Sequence, residues 1–249
     1  MPEQRDKIAL VTGGSRGIGR AIATILAQND VETLFINYLE NDEKAEQTRS
    51  FLEEKGVKVH LLKHNLAFPN DITALFEELE SLTDRLDYFV HSTALTTFKP
   101  LLAVKTNQWD LTLNISARSF LQCCQKCVPL MTNGGSIVAI SSTGSQRYNP
   151  NYGALGVAKM TLEGIVKYLA VELADKNIRV NGVVSGLIQS DTLPPFPQIE
   201  AVIDETLHRT PANRLGTPED VAELALFILT KAKWLYGQNI ILDGGYCLT

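Results

Sequence analysis

The chain is poor in cysteine, with four in 249 residues, and the four show no framework spacing: Cys123, Cys124 and Cys127 crowd together and Cys247 stands apart. That excludes a small disulfide-stapled scaffold and suits reduced thiols, as in a cytoplasm. Cys124 and Cys127 form a C-x-x-C, but no second pair or neighbouring histidine completes a zinc set, so a packed helix face is the better reading. The histidines, His60, His64, His91 and His208, have no metal-ligand spacing, and no metal is expected. Long apolar runs are also missing: no stretch reaches 18 residues, and the start of the chain is polar, so neither a membrane span nor a secretory signal is expected. Positive charge is in slight deficit. Twenty-three Lys and Arg against 28 Asp and Glu give a formal charge of -5, which provides no basic field for nucleic acid or anionic lipid, though a local pocket for one phosphate is compatible with it. The expectation is a cytoplasmic protein without a nucleic-acid or membrane partner.

What is present has the balance of an ordinary globular protein, 45% hydrophobic and 20% charged, enough to fill a sheet covered on both faces. The length suits one α/β domain over 1–249. Short β-branched runs at 8–12, 33–38, 57–62, 86–91, 136–141, 178–184 and 239–242 alternate with stretches of helical period at 17–28, 42–55, 71–83, 108–131, 153–175 and 218–230. This rhythm predicts a single-domain Rossmann fold, a seven-stranded parallel sheet with helices on both faces. Thr217-Pro218-Glu219-Asp220 supplies a hydroxyl cap, a first-turn proline and two acids for a helix start. Leu193-Pro194-Pro195-Phe196-Pro197 breaks both periods and reads as part of a substrate loop near 190–210.

Directly after the first run comes Thr12-Gly13-Gly14-Ser15-Arg16-Gly17-Ile18-Gly19, opening an alanine-rich helix. Gly13 permits the tight turn, Gly17 lets a phosphate approach the backbone and Gly19 lets helix and strand pack closely, while the helix start offers N–H donors to a pyrophosphate. A glycine pattern alone is weak evidence; its place between strand and helix in the first βαβ unit makes it a nicotinamide-dinucleotide site. The second strand ends in Asn37-Tyr38, where an NAD site would offer a carboxylate to the ribose 2′-hydroxyl. Without one, a 2′-phosphate meets no repulsion there and has Arg16 within the glycine turn as a bidentate partner, so NADPH is the expected cofactor. Asn65, after the third strand, is a candidate for the adenine amino group.

At Ser141-Ser142-Thr143-Gly144 and Tyr152-Gly153-Ala154-Leu155-Gly156-Val157-Ala158-Lys159 the chain resembles the short-chain dehydrogenase/reductase family. The likeness runs through the glycine turn, Asn114, the serine pair, the tyrosine and lysine, Arg179-Val180-Asn181 and Asp243-Gly244-Gly245. It implies that Tyr152, Lys159, Ser142 and Asn114 form the catalytic set, with Lys159 also holding the nicotinamide ribose. It further implies a cofactor lining from Ser15, Ile18, Asn37, Tyr38 and Leu66 on one side, and from Ser92, Thr93, Ala94, Ile188 and Ser190 on the other.

One departure is informative. The general pattern puts tyrosine four residues before lysine, but Leu155 stands there and the nearest upstream tyrosine is Tyr152, seven before. Steps of four and seven return to nearly the same helix face, so the tyrosine moves about one turn along the axis. That spacing is similar to enoyl-acyl-carrier-protein reductases, as is Val90-His91-Ser92 where most ketoreductases of the family carry Asn-Asn-Ala-Gly. Gly144, Arg147, Phe196-Pro197 and Arg209-Thr210-Pro211-Ala212 most resemble the NADPH-using type III enoyl reductases.

The resemblance implies reduction of a trans-2-enoyl thioester, on acyl carrier protein or coenzyme A, with Tyr152 stabilising the enolate, in a homotetramer built on the long helices near 108–131 and 153–175. Two rival readings stay open: a 3-oxoacyl or other carbonyl reductase in which Tyr152 protonates an alkoxide, and an inactive NADP(H)-binding scaffold. Ser142 is either catalytic or a pocket wall, and Asn114 either functional or a helix-bending residue. His91 reads as an internally hydrogen-bonded imidazole, Tyr168 as packing and Tyr148 as a pocket wall.

Overall fold

In the computed structural model, which describes residues 6–190 and 199–249, all seven expected strands form. They are β1 (Lys7–Thr12), β2 (Val31–Tyr38), β3 (Lys58–Lys63), β4 (Tyr88–His91), β5 (Gly135–Ser142), β6 (Ile178–Ser185) and β7 (Asn239–Leu242). Every pairing is parallel, and the order is β3-β2-β1-β4-β5-β6-β7. The order reverses between β1 and β4, which opens a crevice beyond their C-terminal ends, the usual place for a nucleotide in such sheets.

Side chains alternate across the strands and so supply two cores. One face carries Leu10, Phe35, Phe89 and Ile137 under α3 (Pro69–Glu80), α5 (Ser119–Cys127) and α6 (Gly153–Glu172). The other carries Val11, Ile36, Val90 and Val138 under α1 (Gly17–Ala27), α2 (Asp42–Glu53) and α8 (Pro218–Thr230). Cys123, Cys124 and Cys127 are buried in the first core with free thiols, in keeping with a packed helix face.

The stretch expected as one helix over 108–131 is broken. It runs as α4 (Thr106–Leu113), a π-helical turn (Asn114–Arg118), α5 and a 3-10 turn (Val128–Leu130). The π-turn starts at Asn114, as its expected helix-bending role requires, and Pro129 lies in the closing turn. Within the expected substrate-loop segment, Ile199–Arg209 forms a helix, α7, while Leu193, Pro194, Pro195, Phe196 and Pro197 lie outside the described residues.

The start signal of α8 is fully used. Thr217 Oγ1 accepts from Asp220 N–H at 3.2 Å, Thr217 N–H donates to Asp220 Oδ2 at 2.7 Å, and Arg214 grips both carboxylate oxygens at 2.6 and 2.8 Å. The Arg214 bonds hold the Asp220 carboxyl down to about 2. At the other end Arg179, from β6, donates to the carbonyls of Ile228 and Leu229, in the last turn of α8 where carbonyls lack intrahelical partners, and to that of Ala232 beyond it. Arg179 is therefore structural, as is Asn181, which bonds Leu235 O and Gln238 N–H.

Candidate active site

Beyond β1 the chain turns through Gly13 and Gly17 at φ +63° and +53°, a left-handed backbone that glycine adopts without a Cβ penalty. A Cβ on Gly19 would stand 2.2 Å from the Gly13 carbonyl oxygen, so α1 reaches the turn only because the residue is glycine. One on Gly13 would stand 2.9 Å from Ser92 O, which places the loop after β4 against the turn. Thr48 Oγ1 donates to Ser15 O at 2.9 Å and Gly14 N–H to Asn37 O at 3.1 Å, tying the turn to α2 and β2. Arg16, the exposed residue before α1, makes no side-chain capping bond, and Ile18 and Gly19 follow in the first helical turn. First-turn N–H groups and the helix dipole there favour an anion. Beside the turn, Thr93 Oγ1 is buried without a hydrogen-bond partner. The cradle and the orphaned hydroxyl fit a dinucleotide pyrophosphate with a polar neighbour.

On the expected adenosine side the side chains are already engaged. Asn37 Nδ2 donates to Leu62 O at 3.1 Å and His64 O at 3.0 Å, so its amide fastens β2 to β3. Tyr38 Oη donates to Asp42 Oδ1 at 2.9 Å, and burial, aided by that carboxylate, pushes the phenol up to about 12. Lys63 Nζ meets Asp42 Oδ2 at 2.7 Å. Sequence reasoning looked for an acid within β2 and missed Asp42, the first residue of α2, together with its cation; the pairing of Tyr38 with Lys63 across β2 and β3 brings them together. Asn65 Oδ1 accepts from Ala67 N–H at 3.0 Å, and Leu66 is buried.

On the opposite side, Ser92 N–H donates to Thr12 at 3.3 Å, Ala94 is exposed, Ile188 bridges to Gly216 and Ser190 is half-buried. A cavity of about 120 Å³ lies beyond Ile188, among Thr206, Thr210, Leu215, Asp243 and Tyr246. Neither Tyr152 nor Ser142 lines it.

The catalytic candidates meet at the end of β5. Tyr152 is the residue preceding α6, so it sits at the helix entrance instead of on the helix proper. Its Oη donates to Ser142 Oγ at 3.0 Å, and Ser142 Oγ also accepts from Gly144 N–H at 3.2 Å. A Cβ on Gly144 would stand 2.4 Å from the Tyr152 ring, and one on Gly156 2.6 Å from Gly144 O. Both glycines let the α6 entrance close onto the turn after β5. Although Tyr152 as a residue is half-buried, its hydroxyl is enclosed; burial raises its pKa and the Ser142 bond opposes the rise.

Lys159 is buried, with Nζ donating to Ile140 O at 2.6 Å. Burial brings its ammonium down to about 8, opposed by the Glu163 carboxylate. His91 is enclosed at the end of β4, between Thr12 Oγ1 and Ser119 Oγ, as an internally bonded imidazole. Asn114 opens the π-turn, which packs on α6. Tyr148 and Tyr168 are both largely exposed, so Tyr168 is not the packing residue expected of it.

This fold, with a glycine turn at its switch point and a Ser-Tyr-Lys group beside it, defines a nicotinamide-dependent oxidoreductase. The chain belongs to the short-chain dehydrogenase/reductase family: residues 13–247 match the family model described as "Enoyl-(Acyl carrier protein) reductase". It is 38% identical to the 1-cyclohexenylcarbonyl-CoA reductase of Streptomyces collinus, over 97% of this chain and 87% of that one. It is 33% identical to the 3-oxoacyl-[acyl-carrier-protein] reductase FabG of Staphylococcus aureus, over 96% of this chain and 97% of the relative. Among solved structures, a short-chain type dehydrogenase/reductase from Mycobacterium ulcerans superposes with a TM-score of 0.90 at 26% identity, covering 98% of this chain and 91% of the other. Acetoin dehydrogenase YohF of Salmonella typhimurium gives 0.87 at 27%, covering 98% and 96%. The chain is thus a reductase-type member of the family, with a nicotinamide cofactor.

Proposed function

We propose that the chain reduces trans-2-enoyl thioesters with NADPH. The observation that carries this reading is the position of Tyr152: seven residues before Lys159 and 3.0 Å from Ser142 Oγ, with a buried leucine, Leu155, in the four-before place. When bound, the nicotinamide supplies a hydride to the β-carbon of the substrate. Tyr152 then donates a hydrogen bond to the thioester oxygen as negative charge gathers there, a preorganised contact worth roughly 3 to 4 kcal/mol, and a proton from solvent at the α-carbon completes the saturated thioester. Ser142 holds that phenol in place beforehand. Lys159 has three N–H donors, of which Ile140 O occupies one; the others serve the nicotinamide ribose, and its charge favours the polarised phenol. Arg16, exposed at the turn, supports a 2′-phosphate, and Asp42, engaged by Lys63 and Tyr38, leaves the neighbourhood compatible with it.

The 33% likeness to a 3-oxoacyl reductase favours a second reading, in which Tyr152 protonates an alkoxide. Crotonyl and acetoacetyl thioesters of coenzyme A and acyl carrier protein, each with NADPH or NADH and with product masses read out, separate the two. We expect butyryl product with NADPH, and a fall in kcat/KM of about 100- to 1000-fold in Tyr152→Phe with cofactor binding kept. Turnover of acetoacetyl substrate alone overturns the enoyl reading, and cofactor binding without any turnover favours a scaffold.

We further propose a homotetramer. Met160, Tyr168 and Val171 form an exposed stripe on α6, while Phe227, Trp234 and Ile241 are exposed on α8, the following loop and β7. Large apolar side chains left exposed in this way suit subunit contacts; sedimentation should show four chains, and a monomer would remove the proposal.

A further inference from the structure

One buried acid near the reacting groups has no part in the chemistry above. Glu163 stands one helical turn beyond Lys159 on α6, only 7% exposed. Its Oε1 accepts from Ser141 Oγ at 2.5 Å and from Ser145 Oγ, and its Oε2 accepts from Gln146 Nε2 at 2.7 Å. Ser145 has a single proton within reach of both Glu163 and Ser142 O, and the carboxylate is the stronger acceptor. The three donors come from both sides of Ser142, the residue that holds the Tyr152 hydroxyl. The backbone carbonyl of Glu163 accepts from Asn239 Nδ2 on β7 at 3.3 Å. No cation among the described residues pairs with Glu163 within 4.0 Å. Burial of a carboxylate held only by neutral donors costs free energy, so its role is sought in what it holds.

We propose that Glu163 is a positioning residue for the reduction, fixing the Ser142 turn through its oxygens and keeping Lys159 charged through its field. The proposal rests on Tyr152 and Lys159 acting as described above. Around Lys159 the titratable groups are Glu163 on its own helix, Tyr152 at the entrance to that helix and His91 at the end of β4; Lys167, a further turn along α6, lines the same outer groove as Glu163. His91 is neutral there, held low by burial, which leaves Glu163 as the counter-charge of Lys159. A negative charge nearby favours the ammonium against the burial that opposes it. A group that acts only by packing would not set the pH at which Lys159 loses its proton.

The test compares wild type, Glu163→Gln and Glu163→Asp as full-length enzymes, with whichever of the crotonyl and acetoacetyl thioesters wild type reduces. Activity that needs charged Lys159 is present below its pKa and lost as pH rises through it, so wild type should show an alkaline limb near pH 8. In Glu163→Gln we expect that limb about one unit lower, which reduces the charged fraction at pH 8 from about one half to about one tenth and kcat about fivefold. KM should change little, and Glu163→Asp should recover the limb. A folded Glu163→Gln with wild-type kcat and limb overturns the proposal. If that variant fails to fold, Ser145→Ala with Gln146→Ala removes two donors and keeps the charge; kcat should fall with the limb unmoved, and unchanged kcat overturns the proposal. Wild type that reduces neither thioester is read by the pH profile of NADPH affinity, in which the same shift is expected and its absence is decisive. Substrate preference thus judges the enoyl reading, and the limb judges Glu163.

Discussion

At the end of β4 the His91 ring has Thr12 Oγ1 3.1 Å from Nδ1 and Ser119 Oγ 3.4 Å from Nε2. Burial, with the charge of Lys159 adding to it, lowers its pKa from 6.5 to about 3. The native imidazole therefore stays neutral, whereas an unfolded one takes up a proton below about 6.5. Stability present above pH 6.5 is lost as pH falls from 6.5 towards 3, by about 1.4 kcal/mol per unit, or about 2 kcal/mol between pH 7 and pH 5. Thermal melts at those two pH values should show a larger fall in Tm for wild type than for His91→Asn; equal falls would assign the pH sensitivity elsewhere. The sequence marks His91 as a strand-end histidine, but its partners lie on β1 and α5, far along the chain, and only the sheet order brings them near. Glu163 was not legible at all, because α6 carries Lys159, Lys167 and Glu172 as well, and nothing local marks which of its charged residues is buried. Gly13 and Gly19 were legible because the contact between them is local, within one turn.

Between residues and fold, the decisive contact is the closure of the α6 entrance onto the turn after β5. Gly144→Ala would place a methyl 2.4 Å from the Tyr152 ring, and the phenol must move to admit it. Displacements of about 1 Å at a reacting group cost on the order of a hundredfold in rate. We expect a kcat loss of that order with NADPH affinity near wild type; unchanged kcat would show that the ring position is not critical. Strands and most helices could be read from their periods, since the hydrophobic pattern that builds them also fixes the two cores. The π-turn at Asn114–Arg118 escaped because an added residue in a helix barely disturbs a 3.6-residue pattern over one turn. Helix α7 escaped because the prolines before it suggested that the irregular stretch continued. Asp42 escaped for a different reason: its cation, Lys63, reaches it only through the register that pairs Tyr38 with Lys63.

For the molecule as a whole, the strand order gathers the glycine turn, Ser92, Ser142 and Ile188 beyond the C-terminal ends of the inner strands, though they are spread over most of the sequence. The α/β class and the parallel sheet followed from the alternation of elements, whereas the meeting of β1 with β4 depends on crossovers that no local pattern encodes. The three thiols of α5 offer a way to time the opening of this structure. Burial puts Cys123 at about 12 and Cys124 and Cys127 well above the ordinary thiol range, so an alkylating reagent meets reactive thiolate only when α5 leaves the sheet. Cysteine labelling therefore serves as an internal clock for native-state opening, with the half-buried Cys247 as a separate channel. A dinucleotide bound at the opposite end of the core, present at about 100 times its Kd, should stabilise the closed state by about 2.7 kcal/mol and slow the clock about a hundredfold. Labelling that ignores the cofactor would mean that α5 opens by itself, without the sheet that carries the glycine turn.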